Sequence, residues 1–454
     1  MESLFFLSFH FLIQLPEPRQ GIVMRKDISL NAGQQAAADG VFSWLFTDQP
    51  EMIISGAGGV GKSFLMGYLI DKVIPEYEKM CDMLGQNAEF TEVHMTATTN
   101  KAAEVLSEAT GRPCSTIHSF LGLKVFDDFS TGESKLTKTD KWKVHHNIIL
   151  FVDECPMISR QLLRYIREGT HNCKIIFVGD HNQLTPVKEN SSPIYGDNLP
   201  FFELTEPMRN KDQPALKAVC AQLRNTVETG IFNTISTVPG VVDWLNDEEM
   251  QEELSKEFVD GVVDARILVY SNARAQLYNE FVRNVRQLPT AFVAGEQLIS
   301  NTSFRTASGA LSVEEPVSIT EVSPKTEVIR FGDGAELEIH RINFSSTFRM
   351  FMDVPFPVNQ EHFQSLIKHY RQKKNWKMYF HLKEQYPDLR QRDSCTVHKS
   401  QGSTYDTVYI DMANLSTCTQ PDQAARLLYV AFTRARNRVV MYGKLADKFG
   451  GIRA

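Results

Sequence analysis

The stretch GAGGVGKS, Gly56 to Ser63, constrains this chain more than any other. It follows the apolar run Met52, Ile53, Ile54 and precedes Phe64, Leu65, Met66 and Leu69. An apolar run, a glycine-rich turn and an apolar pattern at helical spacing are the context of a phosphate-binding loop. Glycines let backbone N–H groups close on phosphate oxygens at the positive end of the following helix. Gly56, Ala57, Gly58, Gly59, Val60, Gly61, Lys62, Ser63 and Phe64 are therefore the candidate nucleotide cradle. Lys62 is expected to reach the β- and γ-phosphates, and Ser63 to place its hydroxyl on Mg²⁺. The loop implies a nucleoside triphosphate and leaves open what its energy is used for.

Two further apolar runs carry the same parallel-sheet signature. Asn147 to Val152 reads as a strand buried on both faces and ends in Asp153 and Glu154. Two carboxylates there are costly in a core unless they have ligands. Beside a phosphate loop, Asp153 is placed to hold hydrated Mg²⁺ and Glu154 to orient the attacking water. Lys174 to Val178 leads to Gly179-Asp180-His181-Asn182-Gln183-Leu184, where Gln183 sits at the position of a γ-phosphate sensor. Arg209 follows the segment from Phe202 to Met208; a cationic clamp is one reading and a surface arginine the ordinary one.

Polar clusters at strand ends suit a phosphodiester backbone. Thr96 to Ala103 reads as a strand end and a helix start, with Thr99 or Asn100 as cap and Lys101 beside it; Thr116, Ile117, His118 repeats the theme. A plain helix cap is the alternative. Residues 122 to 145 break the rhythm as an inserted β-hairpin, with Phe126 and Phe129 near its tip. Gln34, on a helical stretch from Asn31 to Phe46, can offer an amide to an adenine edge, although a surface glutamine is as common.

The second half restarts the architecture. Ala265 to Tyr270 is a strand, Ala273 to Arg286 an amphipathic helix, and Leu245 to Phe258 an acidic, solvated helix. Gly295 to about Pro357 reads as a small β-module. Glu361 to Tyr386 reads as one long helical stretch mixing Lys368, Arg371, Lys373, Lys374 and Lys377 with Tyr370, Trp376, Tyr379 and Phe380. That mixture serves single-stranded nucleic acid or, equally, a snorkelling helix face. Thr396, Val397, His398, Lys399, Ser400, Gln401, Gly402 precede a strand, and an apolar helix ends at Arg434.

Length and charge bound these readings. The 454 residues exceed one core, so two to four domains are expected, and a net charge of −7 confines any nucleic-acid contact to a local surface. Seven scattered cysteines without a C-x-x-C pair give no zinc or disulfide framework and fit a reducing cytoplasm. Leu4 to Leu15 is apolar but too short to span a bilayer, so no membrane association is expected. Residues 1 to 24 are read as an N-terminal extension, with a natural start at Met24.

The ordered motifs GAGGVGKS, TATTNKAA, VDEC, GDHNQL, the Arg209 segment, TVHKSQGST and YVAFTRAR resemble those of superfamily 1 DNA helicases, from Gln34 to about Val440. The short hairpin and the β-module before Thr396 point to the RecD-like branch, superfamily 1B. One departure is Thr98, where the related motif usually has proline; a looser loop is expected there.

The resemblance implies an α/β fold of two RecA-like parallel-sheet P-loop NTPase domains. An inserted β-hairpin and an inserted SH3-like β-module with a helical extension complete it. Implied bounds are 25–205 for domain 1A with the hairpin at 122–145, 206–295 and 393–454 for domain 2A, and 296–392 for domain 2B. The cofactors implied are ATP and Mg²⁺, with Gln34 and Gly402 at the nucleotide. Lys62, Asp153, Glu154 and Gln183 carry the chemistry, and Arg209 and Arg434 reach across the cleft. Thr99, Asn100, Lys101, Thr116, His118, Thr396, His398 and Lys399 line a single-strand track. Phe126 or Phe129 stacks at a duplex junction.

Implied partners are single-stranded DNA, fork junctions and replication proteins such as single-strand-binding protein, acting on a monomer in the host cytoplasm. Movement is implied to be 5′→3′, in phage replication or recombination. A translocase that displaces proteins, or an ATP-switched DNA-binding protein, stays open.

Overall fold

The computed structural model describes residues 29–127, 134–184, 192–206, 213–261, 263–289, 291–306, 309–346 and 349–453. The N-terminal extension, Phe129 and Arg209 lie outside the described residues.

The first lobe is a six-stranded parallel sheet in the order Phe201–Leu204, Glu51–Gly56, Lys174–Gly179, Ile148–Asp153, Glu92–Ala97, Cys114–Thr116. Central strands of such a sheet are covered on both faces, which is why Met52–Ile54, Ile148–Val152 and Ile175–Val178 are continuous apolar runs. One face packs on Ala37, Val41, Trp44, Leu65 and Leu69, the other on Leu162, Leu163 and Ile166.

The helix after the phosphate loop runs Lys62–Tyr68, passes through a π-turn at Leu69–Val73 and continues as Ile74–Met83. Pro75 accounts for the π-turn: it has no N–H to donate, and its ring crowds the carbonyl one turn back.

The second lobe is a five-stranded parallel sheet in the order Val242–Leu245, Ala435–Tyr442, Tyr405–Asp411, Ala265–Val269, Ser394–Thr396. Two parallel α/β sheets make the RecA-like pair. The acidic stretch divides: Val242–Leu245 is a strand, and the helix is Asp247–Phe258, capped by Asn246.

Between the second lobe's strands lies a five-stranded antiparallel sheet, in the order Met350–Pro357, Glu336–Ser346, Pro316–Arg330, Gln297–Ser300, Leu389–Gln391. The long basic stretch is two helices, Gln360–Gln372 and Trp376–Gln385, rather than one. Lys374 takes a left-handed φ of 54°, and Asn375 caps the second helix, so the break is built from a turn and a fresh cap. Tyr370 and Phe380 are buried, with Tyr370 packed against the β-sheet, while Arg371, Lys373, Lys374 and Lys377 are exposed. Those two rings are core, and their cations are a solvated face.

Leu123–Asp127 and Ser134–Lys138 form a two-stranded antiparallel hairpin, with Val125 opposite Leu136 and Phe126 opposite Lys135. Val125 and Phe126 are each 55% exposed. Neighbours on a strand point to opposite faces, so this ribbon covers neither face. Its base is anchored: the Tyr165 hydroxyl and Gln161 Nε2 donate to Leu136 O, each at 3.1 Å, and Lys138 pairs with Glu168 at 2.8 Å. Among the described residues no helix is long and apolar enough to cross a membrane.

Candidate nucleotide and strand site

The phosphate loop leaves its strand at Gly56. A Cβ there would lie 2.7 Å from Leu204 O and 2.8 Å from Val60 Cγ2, so only glycine lets the loop turn so tightly. Gly61 caps the next helix at φ 84°, a conformation that favours glycine. Lys62 Nζ donates to Gly56 O at 2.7 Å and Ala57 O at 3.0 Å, so the ammonium lies folded over the loop it would share with phosphates.

Asp153 ends the strand two places from the loop's own, within electrostatic reach of Lys62. Loss of solvation, with Glu154 next to it, pushes its carboxyl up to about 7, and Lys62 opposes the shift. A carboxylate held this way is stabilised by a cation. Glu154 stands at φ 53°, ψ 42°, a left-handed conformation that non-glycine residues adopt at a cost and that concentrates at functional sites.

The lobes meet across this site. Arg434, 4% exposed at the end of the Pro421–Thr433 helix, brings its Nη2 to 4.0 Å from the place of a Cβ on Gly58. Its guanidinium donates to Val430 O and Ser403 O at 3.2 Å and to Thr433 Oγ1 at 3.1 Å, all neutral acceptors. The charge therefore faces the loop without a carboxylate on those three bonds. Gly402, at φ 76°, approaches Ala102 of the first lobe, 3.5 Å from where its Cβ would be.

The segment after Lys174–Gly179 enters the second lobe. Leu184 lies in that lobe's core with Leu216, Leu428 and Tyr429. Asp180, fully buried, accepts from the Tyr429 hydroxyl at 2.7 Å. Arg426 Nη1 donates to His181 O and Gln183 O, both at 2.7 Å. Sequence reasoning assigned only Gln183 in this segment. The aspartate between the strand and that glutamine was the available signal, but its partner is some 250 residues away and no spacing reveals it. Tyr429→Phe strands a buried acceptor; loss of about 1–3 kcal/mol of stability in urea unfolding is expected.

Gln183 is 3% exposed and its Oε1 has no partner; both amide atoms of Gln401 are likewise buried without one. Such atoms are expensive unless a ligand completes them, which supports a sensing role for Gln183.

Several expected contacts are placed differently. Gln34 has no exposure; its Nε2 donates to Val60 O at 3.2 Å and its Oε1 accepts from Asn31 N at 3.2 Å. Each end of the amide makes one backbone bond, so Gln34 also shapes the loop, while one N–H and one lone pair are not used in those bonds. Lys399 is spent on the β-module, pairing with Glu314 at 3.3 Å and bonded to Asn301, rather than standing free on a track. Thr396 is buried at 6%. Thr99 is the cap, accepting from Ala102 N at 3.2 Å, and Lys101 pairs with Glu104 at 2.8 Å. Thr116 caps the Ile117–Phe120 turn, accepting from Ser119 N at 3.1 Å. Burial lowers the pKa of His118 and of His398, which favours neutral rings. Thr98, expected to loosen its loop, is instead hydrogen-bonded to both Asp153 and Glu154 backbone.

Comparisons with known proteins agree with this geometry. Residues 29–238 match the AAA domain model AAA_30, and residues 394–442 match a UvrD-like helicase C-terminal domain. The chain is 23% identical over 467 residues to the ATP-dependent DNA helicase dda of Enterobacteria phage T4, covering 90% of this chain and 98% of that protein. The chain is thus similar over nine-tenths of its length to a DNA helicase. It is also 23% identical over 500 residues to an uncharacterised protein of Acanthamoeba polyphaga mimivirus, with 90% and 99% covered. Its fold matches a solved structure described as the structural basis for DNA unwinding at forked dsDNA by two coordinating Pif1 helicases. That match has a TM-score of 0.50 at 16% identity and covers 93% of this chain and 94% of that one. The chain thus shares its two-lobed fold with that protein.

Proposed function

We propose that this chain is an ATP-dependent DNA helicase that moves on single-stranded DNA, 5′→3′, and opens duplex ahead of it. The observation that carries the reading is Arg434 of one lobe lying against the phosphate loop of the other, whose Lys62 acts on the charge of Asp153.

Lys62 and the loop amides bind the triphosphate, Arg434 and Gln183 meet it from the other side of the cleft, and Glu154 takes the proton of the attacking water. The Asp153 carboxylate fits a cation, and with Ser63 it would hold Mg²⁺, whose charge offsets that of the phosphates. A nucleotide gripped by both lobes favours closure; after hydrolysis that grip is lost and the lobes part. If the surfaces at Thr99–Lys101 and at His398 hold the strand differently in the two states, each cycle is a step.

The free-standing hairpin is of the right size to be a wedge. Melting one base-pair step costs about 1.4 kcal/mol, and a base stacked on an aromatic returns about 1–3 kcal/mol. Phe126→Ala should therefore cut strand displacement by about tenfold while DNA-stimulated ATP turnover stays near wild type. The seven cysteines are free thiols, which fits a reducing cytoplasm. The likeness to phage and giant-virus proteins fits a role in viral DNA replication or recombination.

The test is strand displacement on paired duplexes with a 5′ or a 3′ single-stranded tail. Unwinding of the 5′-tailed duplex alone, and only with ATP, is expected. ATP turnover with no displacement of either would favour a translocase, and displacement from the 3′ tail would reverse the assigned direction.

A further inference from the structure

Thr98 occupies the turn between the Glu92–Ala97 strand and the Asn100–Thr110 helix, 8% exposed. Its N–H donates to Asp153 O at 3.3 Å, and its hydroxyl donates to Glu154 O at 3.3 Å. The same Glu154 carbonyl accepts the Met157 N–H at 3.1 Å. Two donors from different elements thus hold the carbonyl of the residue that stands in the left-handed region. A backbone kept there against its preference needs such holds, since the carboxylate direction follows from φ and ψ.

The other end of this turn carries the strand-facing residues. Thr99 caps the helix through Ala102 N, Asn100 and Lys101 follow, and Gly402 of the second lobe closes on Ala102. A shift of this turn, whether from a bound strand or from the second lobe, is carried to Glu154 through one side chain. The proline of the related motif has neither an N–H nor a hydroxyl, so it offers neither bond.

We propose that Thr98 is a positioning residue: its hydroxyl fixes the Glu154 backbone and couples the turn at 98–101 to the carboxylate that activates water. The inference rests on the helicase reading above, in that the turn is taken to touch the strand.

Thr98→Val removes the hydroxyl and keeps the N–H and the branched shape; Thr98→Ser keeps the hydroxyl. ATP turnover is measured at saturating oligo(dT), alongside the Kd for a fluorescent ATP analogue and for oligo(dT), and the melting temperature. We expect Thr98→Val to lower kcat about three- to tenfold, the range of one hydrogen bond, with KM for ATP and both Kd values within about twofold. Thr98→Ser should match wild type. Wild-type kcat in Thr98→Val would overturn the proposal, as would an equal loss in Thr98→Ser or a loss confined to KM. Wild-type protein whose turnover ignores DNA would instead end the helicase reading, so the two failures are distinguishable.

Discussion

Glu154→Gln lowers DNA-stimulated ATP turnover by about 10²–10⁴-fold, the range of a lost general base, and leaves ATP binding close to wild type. The amide keeps the size of the carboxylate, and the backbone at φ 53° stays held by Thr98 and Met157, so geometry is retained and basicity is not. Binding should survive because the proposed phosphate contacts come from Lys62 and the loop amides, which the change does not touch. Quenched-flow hydrolysis together with equilibrium binding of a fluorescent ATP analogue separates the two. Equal loss of binding and turnover would mean that Glu154 is structural. The neighbouring carboxyl gives a pH signature. Asp153 is raised to about 7, so below that pH it holds a proton that a metal must displace. Apparent Mg²⁺ affinity should therefore fall as pH drops through 7, and calorimetry in buffers of differing ionisation enthalpy should detect the proton released.

Arg434→Ala is expected to cost about 10³–10⁵-fold in turnover, as for other cations that reach a transferring phosphoryl group. The residue is 4% exposed and its three fixed bonds go to neutral oxygens, so its position is set while its charge is not spent in them. Arg434→Lys should recover little, because an ammonium cannot reproduce bonds to Val430 O, Ser403 O and Thr433 Oγ1 while also facing Gly58. ATP affinity should fall far less than kcat, since Lys62 lies on the other lobe. The measurement is kcat and KM at saturating single-stranded DNA. Retained turnover would remove the second lobe from the chemistry.

The strands and their terminal carboxylates were legible because a parallel sheet buries both faces and leaves an apolar run that ends in polar groups. Asp153 and Glu154 follow from that pattern, the phosphate loop from its glycine and lysine spacing, and the hairpin at Leu123–Lys138 from a break in the rhythm. Beyond Arg434, which the resemblance implied, what crosses between lobes was not legible. The Asp180–Tyr429 bond and the packing of Leu184 into the second core depend on how two sheets face each other, which local periodicity does not encode. Gln34 and Lys399 were read by residue type alone; whether an amide or ammonium is free depends on neighbours that only the fold supplies. Tyr370 and Phe380, read among the basic residues, went to the core because a helix has an inner face whatever charges flank it. Thr98 differs from expectation for a related reason: a hydroxyl beside the carbonyl just past another strand's end is a bond, not slack.

The central claim is that one triphosphate is gripped by both lobes and so governs their spacing. Single-molecule energy transfer between dyes at exposed positions 83 and 231, one on each lobe, reads this directly. In Glu154→Gln protein, ATP should shift the molecules into one high-transfer population, and Arg434→Ala in that background should remove most of the shift. An identical transfer distribution with and without ATP would contradict the account.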